Sequence, residues 1–246
     1  MPLALAFLAA ALMAPAEPAA THDERLGRAD ALYVKRDEPE ARAQLERLLA
    51  EASRQAPSDY GVLWRRAQLQ FWISDDPLLP AAEKSRLGQA CWAEAHDATR
   101  VRPGGVEGWF YAAGCMGNYA LGIGVLRALG QGIEGRFRER LGKAQSIDPA
   151  FQSGAIPTAW GRFFYELPWP KHDGTRSEQR LRDALGMNAR NVRALVYLAE
   201  LFRKQGKQDE ARRLLEGSIS RSPGAYDAPE ERRWQARARA LLAEKP

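Results

Sequence analysis

The chain has 246 residues, of which 45% are hydrophobic and 27% are charged, and this composition indicates a packed globular protein and excludes a disordered one. The formal net charge is +5, but the 36 basic residues are interspersed with 31 acidic ones and form no dense block. A nucleic-acid surface requires basic charge clustered on one face, so no nucleic-acid partner is expected.

The N-terminus has the pattern of a secretory signal. An uninterrupted apolar run extends over residues 3–13, and the small residues and prolines of APAEPAA follow it. The run is too short to span a bilayer, and Ala14-Pro15-Ala16 fits a cleavage site, although no Lys or Arg precedes the run. We therefore predict a signal peptide over residues 1–20, a periplasmic or otherwise exported protein, and no transmembrane span in the mature chain.

The two cysteines, Cys91 and Cys115, leave two alternatives. An even number of cysteines in an exported chain permits one disulfide. Burial as two free thiols is equally compatible with their apolar surroundings.

Proline marks an internal repeat. Pro57, Pro103 and Pro149 stand 46 residues apart, and Pro223 closes a further stretch with Ala189 where an intermediate proline would fall. Since a proline followed by small or polar residues separates helices, residues 21–246 are predicted to form one domain. Its units are about 23–57, 58–103, 104–149, 150–189 and 190–223, with a capping helix over 225–245.

The unit over residues 192–225 shows the repeat most clearly. Leu195, Leu198, Ala199 and Phe202 follow helical spacing, Gly206 breaks the chain, and a second period ends at Ser218. In the earlier units, the small residues that match Ser218 at the helix crossing are Ala98, Ala144 and Ala184. Large apolar residues in the first helix, small ones at the helix crossing and a glycine turn resemble the tetratricopeptide repeat. The predicted fold class is all-α: a tetratricopeptide-like solenoid of ten to twelve elongated helices with a C-terminal cap. In the two 46-residue units, the second helix is expected to be about three turns longer.

No motif in the sequence predicts catalysis. Gly130, Gly132 and Gly135 form a G-x-G-x-x-G pattern, but a helical stretch precedes it where a dinucleotide fold requires a strand. The three histidines are scattered without metal-ligand spacing. We therefore expect no enzyme, no metal and no cofactor.

Aromatic residues cluster on the predicted first helices of units two to four, and either a binding surface or a thick aromatic core accounts for them. Extrapolating the repeat phase places a set of residues on the concave face, and these are the predicted ligand- or partner-binding residues: Arg65, Leu69, Trp72, Phe110, Asn118, Arg162, Tyr165, Glu166 and Arg203, with Gly114, Gly117 and Glu200 beside them. Eleven of the 21 glycines fall between positions 104 and 142, which indicates close packing, kinks, a loop insert or a wall that a ligand approaches.

A family resemblance adds to these predictions. The stretch AIPTAWGRFFYELPWPKHDGTRSEQRLRDAL, with GCMGNYALG and YDAPEERR, resembles the T component of tripartite ATP-independent periplasmic (TRAP) transporters. The resemblance implies an exported tetratricopeptide protein that binds a solute-binding protein, forms a homo-oligomer around a channel and holds apolar ligands. The chain lacks the cysteine that is lipidated in some members.

Two functions follow as hypotheses. The first is an accessory protein of a periplasmic solute-uptake system, which binds a partner protein, a small partly apolar or anionic ligand, or both. The alternative is a generic tetratricopeptide adaptor for protein–protein interaction in the cell envelope. A closed pocket would favour the first hypothesis, and an open groove would favour the second.

Overall fold

The computed structural model describes residues 21–224 and 227–244; the predicted signal over residues 1–20 lies outside these ranges. Within them all regular structure is helical, with twelve α-helices and no strand. The first two units contain α1 (His22–Tyr33), α2 (Pro39–Gln55), α3 (Tyr60–Ser74) and α4 (Ala81–Val101). The remainder of the array consists of α5 (Val106–Ile123), α6 (Val125–Gly130), α7 (Ile133–Ile147), α8 (Ala155–Glu166), α9 (Gly174–Met187), α10 (Val192–Lys204), α11 (Gln208–Ile219) and α12 (Ala228–Ala243).

The first helices of several units begin at a polar residue. Its side-chain oxygen accepts a hydrogen bond from a backbone N–H group in the first turn of the helix. Asp59 accepts from the backbone N–H of Val62 at 2.9 Å, and Asn191 accepts from Ala194 at 2.9 Å. The small residues predicted at the helix crossings are all fully buried: Ala98, Ala144, Ala184 and Ser218. The all-α helical-repeat prediction is therefore confirmed.

The third unit differs from the prediction. Its second helix, α7, has 15 residues and is not lengthened, whereas α4 in the preceding unit has 21. The extra residues extend α5 and form the short helix α6 instead. Gly124 and Gly132 flank α6 with φ of +90° and +69°, a left-handed conformation that glycine adopts without strain and that ends the helical path.

Other glycines allow α4 and α5 to approach closely. A Cβ atom on Gly88 would lie 2.5 Å from the backbone nitrogen of Tyr119, and one on Gly122 would lie 2.4 Å from that of Ser85. Cys91 on α4 and Cys115 on α5 form a disulfide at the same contact, with Cα atoms 5.5 Å apart. Close packing and turns thus account for much of the glycine cluster.

Gly88→Ala is expected to destabilise the protein by about 1–3 kcal/mol, because the added methyl group forces α4 and α5 apart. Gly142→Ala, also inside a helix, meets nothing within 4 Å and should stabilise by up to about 1 kcal/mol through helix propensity. Urea unfolding of both variants tests the sign of each effect. Stabilisation by Gly88→Ala would contradict the close approach.

The two ends of the helical array meet. Arg36, in the turn after α1, donates two hydrogen bonds to Asp227 at the start of α12, at 2.7 and 2.8 Å. Asp37 accepts from Arg232 at 2.6 and 3.0 Å. Because α12 also packs against α10 and α11, it joins the last unit to the first and closes the array around a central space.

Candidate functional site

The central space is a cavity of about 440 Å³. This volume falls within the roughly 300–1,000 Å³ of small-molecule sites. Side chains from α1, α3, α5, α7, α8, α10 and α12 reach it, so it belongs to the whole array and not to one repeat. Its aromatic wall consists of Phe71, Phe110, Tyr111, Phe137, Phe163 and Tyr197.

The aromatic wall is packed in place by ring contacts. Phe137 and Phe163 stack with centroids 4.8 Å apart, and Phe71 lies 5.8 Å from Tyr111. The aromatic residues are therefore divided between the hydrophobic core and the lining of the cavity. Trp64, Trp109 and Trp160 pack on the hydrophobic core, whereas the wall residues present part of their surface to the cavity.

Gln152 contributes an unusual polar group to the cavity. Its backbone φ is +46°, and that of Ser153 is +47°, a left-handed conformation that non-glycine residues rarely adopt. The Gln152 amide donates to the Tyr111 hydroxyl at 2.8 Å. The strained turn after α7 therefore holds this amide against the wall.

A cluster of buried ion pairs also lines the cavity, next to the aromatic wall. Arg193 on α10 bridges two carboxylates, Asp75 after α3 at 2.7 Å and Glu230 on α12. The pairs Arg193–Asp75, Arg193–Glu230 and Arg36–Asp227 connect α1, α3, α10 and α12. These ion pairs form the charged part of the cavity lining. They also hold the first and last units of the array together.

Burial and ion pairing determine the charge of these groups. Burial raises the pKa of Asp75 above its ordinary value, although Arg193 opposes that shift. Burial also acts to raise the pKa of Glu230, but Arg193, together with Arg36 and Arg233, outweighs it, so the net shift of this pKa is downward. Burial lowers the pKa of Arg233, which stacks on Trp72, to about 10. Arg193 thus opposes the effect of burial on both carboxylates.

Arg162 on α8 has its charge compensated as well. Its guanidinium pairs with Glu166 at 2.5 Å and with Glu200 on α10. Glu200 also accepts from Arg237 of α12 at 2.8 Å. The arginine is a structural link between α8, α10 and α12, and an anion would have to displace two carboxylates to reach it.

Four of the nine predicted binding residues line the cavity: Phe110, Asn118, Arg162 and Glu166. Gly114 and Gly117, predicted beside them, line it too. The structure brings these residues together along one cavity, but their role in binding stays a prediction.

The other five do not line the cavity, although the repeat phase placed them on the concave face, and their role in binding stays untested. Leu69 and Trp72 are buried against α1 and α2, because this side of α3 faces the first unit. Arg65 pairs with Asp30 of α1 at 2.7 Å, Arg203 pairs with Glu244 at 2.9 Å, and Tyr165 lies beside His172 with ring centroids 6.3 Å apart.

The phase of the repeat did not predict several of the charged residues that line the cavity. Arg36, Arg193, Asp227 and Glu230 were not singled out, since the first lies in a turn and two belong to the capping helix. One signal was present in the sequence: Arg36-Asp37 near one end is complementary in charge to Asp227 and Arg232 near the other.

In the part of the chain that the structure describes, no group of three or more His, Cys, Asp or Glu side chains could hold a metal ion. In residues 21–224 and 227–244, no helix is long and apolar enough to cross a membrane.

The fold is similar to known repeat structures. TTC0263, a thermophilic TPR protein of Thermus thermophilus, superposes with a TM-score of 0.67 at 17% identity, covering 91% of this chain and 100% of that one. The likeness to yeast Tom70 is weak, with a TM-score of 0.22 at 12% identity, covering 96% of this chain and 68% of that one. No protein-family model and no curated protein matches the sequence. The class defined by the fold is thus an all-α, tetratricopeptide-like helical repeat, here with a cavity lined by several of its helices.

Proposed function

We propose that this is an exported tetratricopeptide-type binding protein whose central cavity holds a small, largely apolar molecule. The cavity carries the proposal: its aromatic wall offers apolar contact, and α12 joins the last unit to the first across it. The pocket is neither fully closed nor an open groove, so its size and aromatic lining, and not closure, favour a small ligand here. Resemblance to the T component of TRAP transporters supports placing it in periplasmic solute uptake, next to a solute-binding protein.

Two further observations support export. The apolar run over residues 3–13 has the length of a signal and not of a membrane span. The Cys91–Cys115 disulfide is of a kind that persists in oxidising compartments. N-terminal sequencing of the protein from its natural host should begin near Glu17 or Thr21, and an intact Met1 in the cytoplasmic fraction would exclude the compartment.

Filling the cavity should abolish ligand binding. Gly117 lines the cavity and has an ordinary neighbour, Phe137 at 3.5 Å, so Gly117→Phe places a ring in the ligand's space. Binding of the neutral probe N-phenyl-1-naphthylamine, measured by fluorescence, is expected to weaken more than about tenfold, as several buried methylene equivalents of contact are lost.

The matched control is Gly135→Phe, at an exposed position of α7 with nothing within 4 Å of the added Cβ. It should bind the probe as the wild type does. Equal affinity in all three proteins, with unchanged helical circular dichroism, would show that the probe binds outside the cavity and would remove the proposal's support.

A protein-binding adaptor is the second candidate, and Trp169 favours it. This side chain is 89% exposed in the loop between α8 and α9, the same loop from which Leu167 lines the cavity. Exposed tryptophan is uncommon on a monomer's surface and enriched in interfaces. A photo-crosslinking residue at position 169 should capture a cell-envelope partner other than a solute-binding protein if this candidate holds, and a crosslinker at exposed Arg212 should not.

A further inference from the structure

Large exposed apolar side chains recur at one position of the repeat. Among the described residues there are six of them, and four lie within four residues after the end of a first helix, in units one to four: Val34, Leu78, Leu126 and Trp169. Their exposed fractions are 60%, 83%, 75% and 89%. Exposed apolar residues that are scattered singly are ordinary, but their recurrence along one edge of the array indicates an interaction surface.

Two of these side chains lie on segments that also line the cavity. Leu126 belongs to α6, and two other residues of this helix, Val125 and Leu129, line the cavity. Trp169 belongs to the connection between α8 and α9, and Leu167 of the same connection lines the cavity too. Each segment therefore has the cavity on one side and solvent on the other.

The two segments lie side by side. Lys171, in the connection between α8 and α9, forms an ion pair with Glu134 in the first turn of α7, shortly after the end of α6. Together the two segments form what is called the rim below: α6 and residues 167–173.

The rim and the helix turns that follow it are basic. Residues 124–138 and 167–176 contain five arginines or lysines and two carboxylates, a formal net charge of +3. Arg127, next to Leu126, is exposed and forms no ion pair with any described residue. Lys171 lies two residues after Trp169 and is 55% exposed. Cations beside exposed apolar side chains are typical of surfaces that lie on anionic bilayers.

The form of the rim favours a lipid surface over a protein partner. Leu126 and Trp169 lie on separate segments, and an added Cβ atom on Gly124 or Gly130, at either end of α6, would meet nothing within 4 Å. A protein interface requires a closely packed patch at its centre. A fluid bilayer surrounds separate side chains without such a patch, and tryptophan is enriched at membrane–water interfaces.

We propose that the rim docks on a bilayer that contains anionic phospholipid. Leu126 and Trp169 enter the interface between headgroups and acyl chains, and Arg127 and Lys171 pair with lipid phosphates. Docking in this way places α6, and the apolar cavity behind it, against the lipid. The inference concerns the outer surface of the protein and does not depend on which molecule the cavity holds.

Sedimentation with sucrose-loaded vesicles tests the docking. The mature protein should bind mixed phosphatidylglycerol–phosphatidylcholine vesicles at least about tenfold more tightly than vesicles of phosphatidylcholine alone, because lysine and arginine add to binding only at an anionic surface. The preference should decrease as salt is added, since salt screens exposed charges.

A pair of substitutions assigns the binding to the rim. Leu126→Ser combined with Trp169→Ser should weaken binding to the mixed vesicles at least about tenfold, because the apolar area that enters the bilayer is lost. The matched control is Val101→Ser combined with Met187→Ser. These two side chains are 46% and 49% exposed at the ends of the second helices α4 and α9, and their loss should leave binding unchanged.

Three results would overturn the inference: no sedimentation with the mixed vesicles, equal binding to phosphatidylcholine alone, or a control pair that weakens binding as much as the rim pair does. Absent sedimentation together with capture of a protein by the crosslinker at position 169 would assign the rim to a protein partner instead. Binding of N-phenyl-1-naphthylamine reports the cavity separately, so its absence would remove the proposed function and leave this inference standing.

Discussion

Arg193→Ala is expected to lower the free energy of unfolding by about 3 kcal/mol, the lower end of what removal of one partner from a buried ion pair costs. The substitution leaves the carboxylates of Asp75 and Glu230 without their shared counter-ion. These side chains are only 10% and 22% exposed, so water restores little of the lost interaction. Urea unfolding followed by circular dichroism measures the change.

Two comparisons separate this effect from the loss of any arginine. Arg86→Ala removes an exposed pair with Glu83 and should cost at most about 1 kcal/mol. The triple variant Asp75→Leu, Arg193→Met, Glu230→Leu removes all three charges and should regain much of the stability, because an apolar replacement avoids the buried, unpaired carboxylates. If Arg193→Ala costs no more than Arg86→Ala, the buried bridge does not stabilise the closed array.

Loss of the Cys91–Cys115 disulfide is expected to destabilise the protein by about 3 kcal/mol. The bond closes a loop with a sequence separation of 24 residues, and this figure is the chain entropy that such a loop restores to the unfolded state. Both cysteines are fully buried between α4 and α5, where glycines already bring the two helices together. Unfolding of the oxidised wild type with and without dithiothreitol measures the difference.

The matched control is the double variant Cys91→Ala, Cys115→Ala, whose stability should not respond to dithiothreitol and should lie near that of the reduced wild type. Thiol titration of the denatured, unreduced wild type should find no free thiol. Two free thiols would show that the cysteines are buried without a bond, which is the other alternative that the sequence left open.

The helices and their pairing could be predicted from the sequence because they depend on local signals. Prolines, helix-capping side chains and small residues at crossings act within one unit, and each unit repeats them. Ala98, Ala144, Ala184 and Ser218 are all fully buried, as their shared phase predicted. The third unit departs from the pattern where Gly124 and Gly132 adopt left-handed φ, a property that glycine permits but that sequence spacing does not specify.

The cavity and its charges were decided by the tertiary structure. Whether an array of helix pairs stays open or closes depends on the rotation accumulated from unit to unit, which no single unit encodes. Here the rotation brings Arg36 to Asp227 and Arg193 to Asp75, residues far apart in the chain. The repeat phase therefore identified Phe110 and Asn118, which first helices direct inward, but misplaced Arg65 and Trp72, which pack toward the first unit. The sequence by itself determined which surfaces each helix buries against its pair, and closure of the array determined which remaining surfaces face one another.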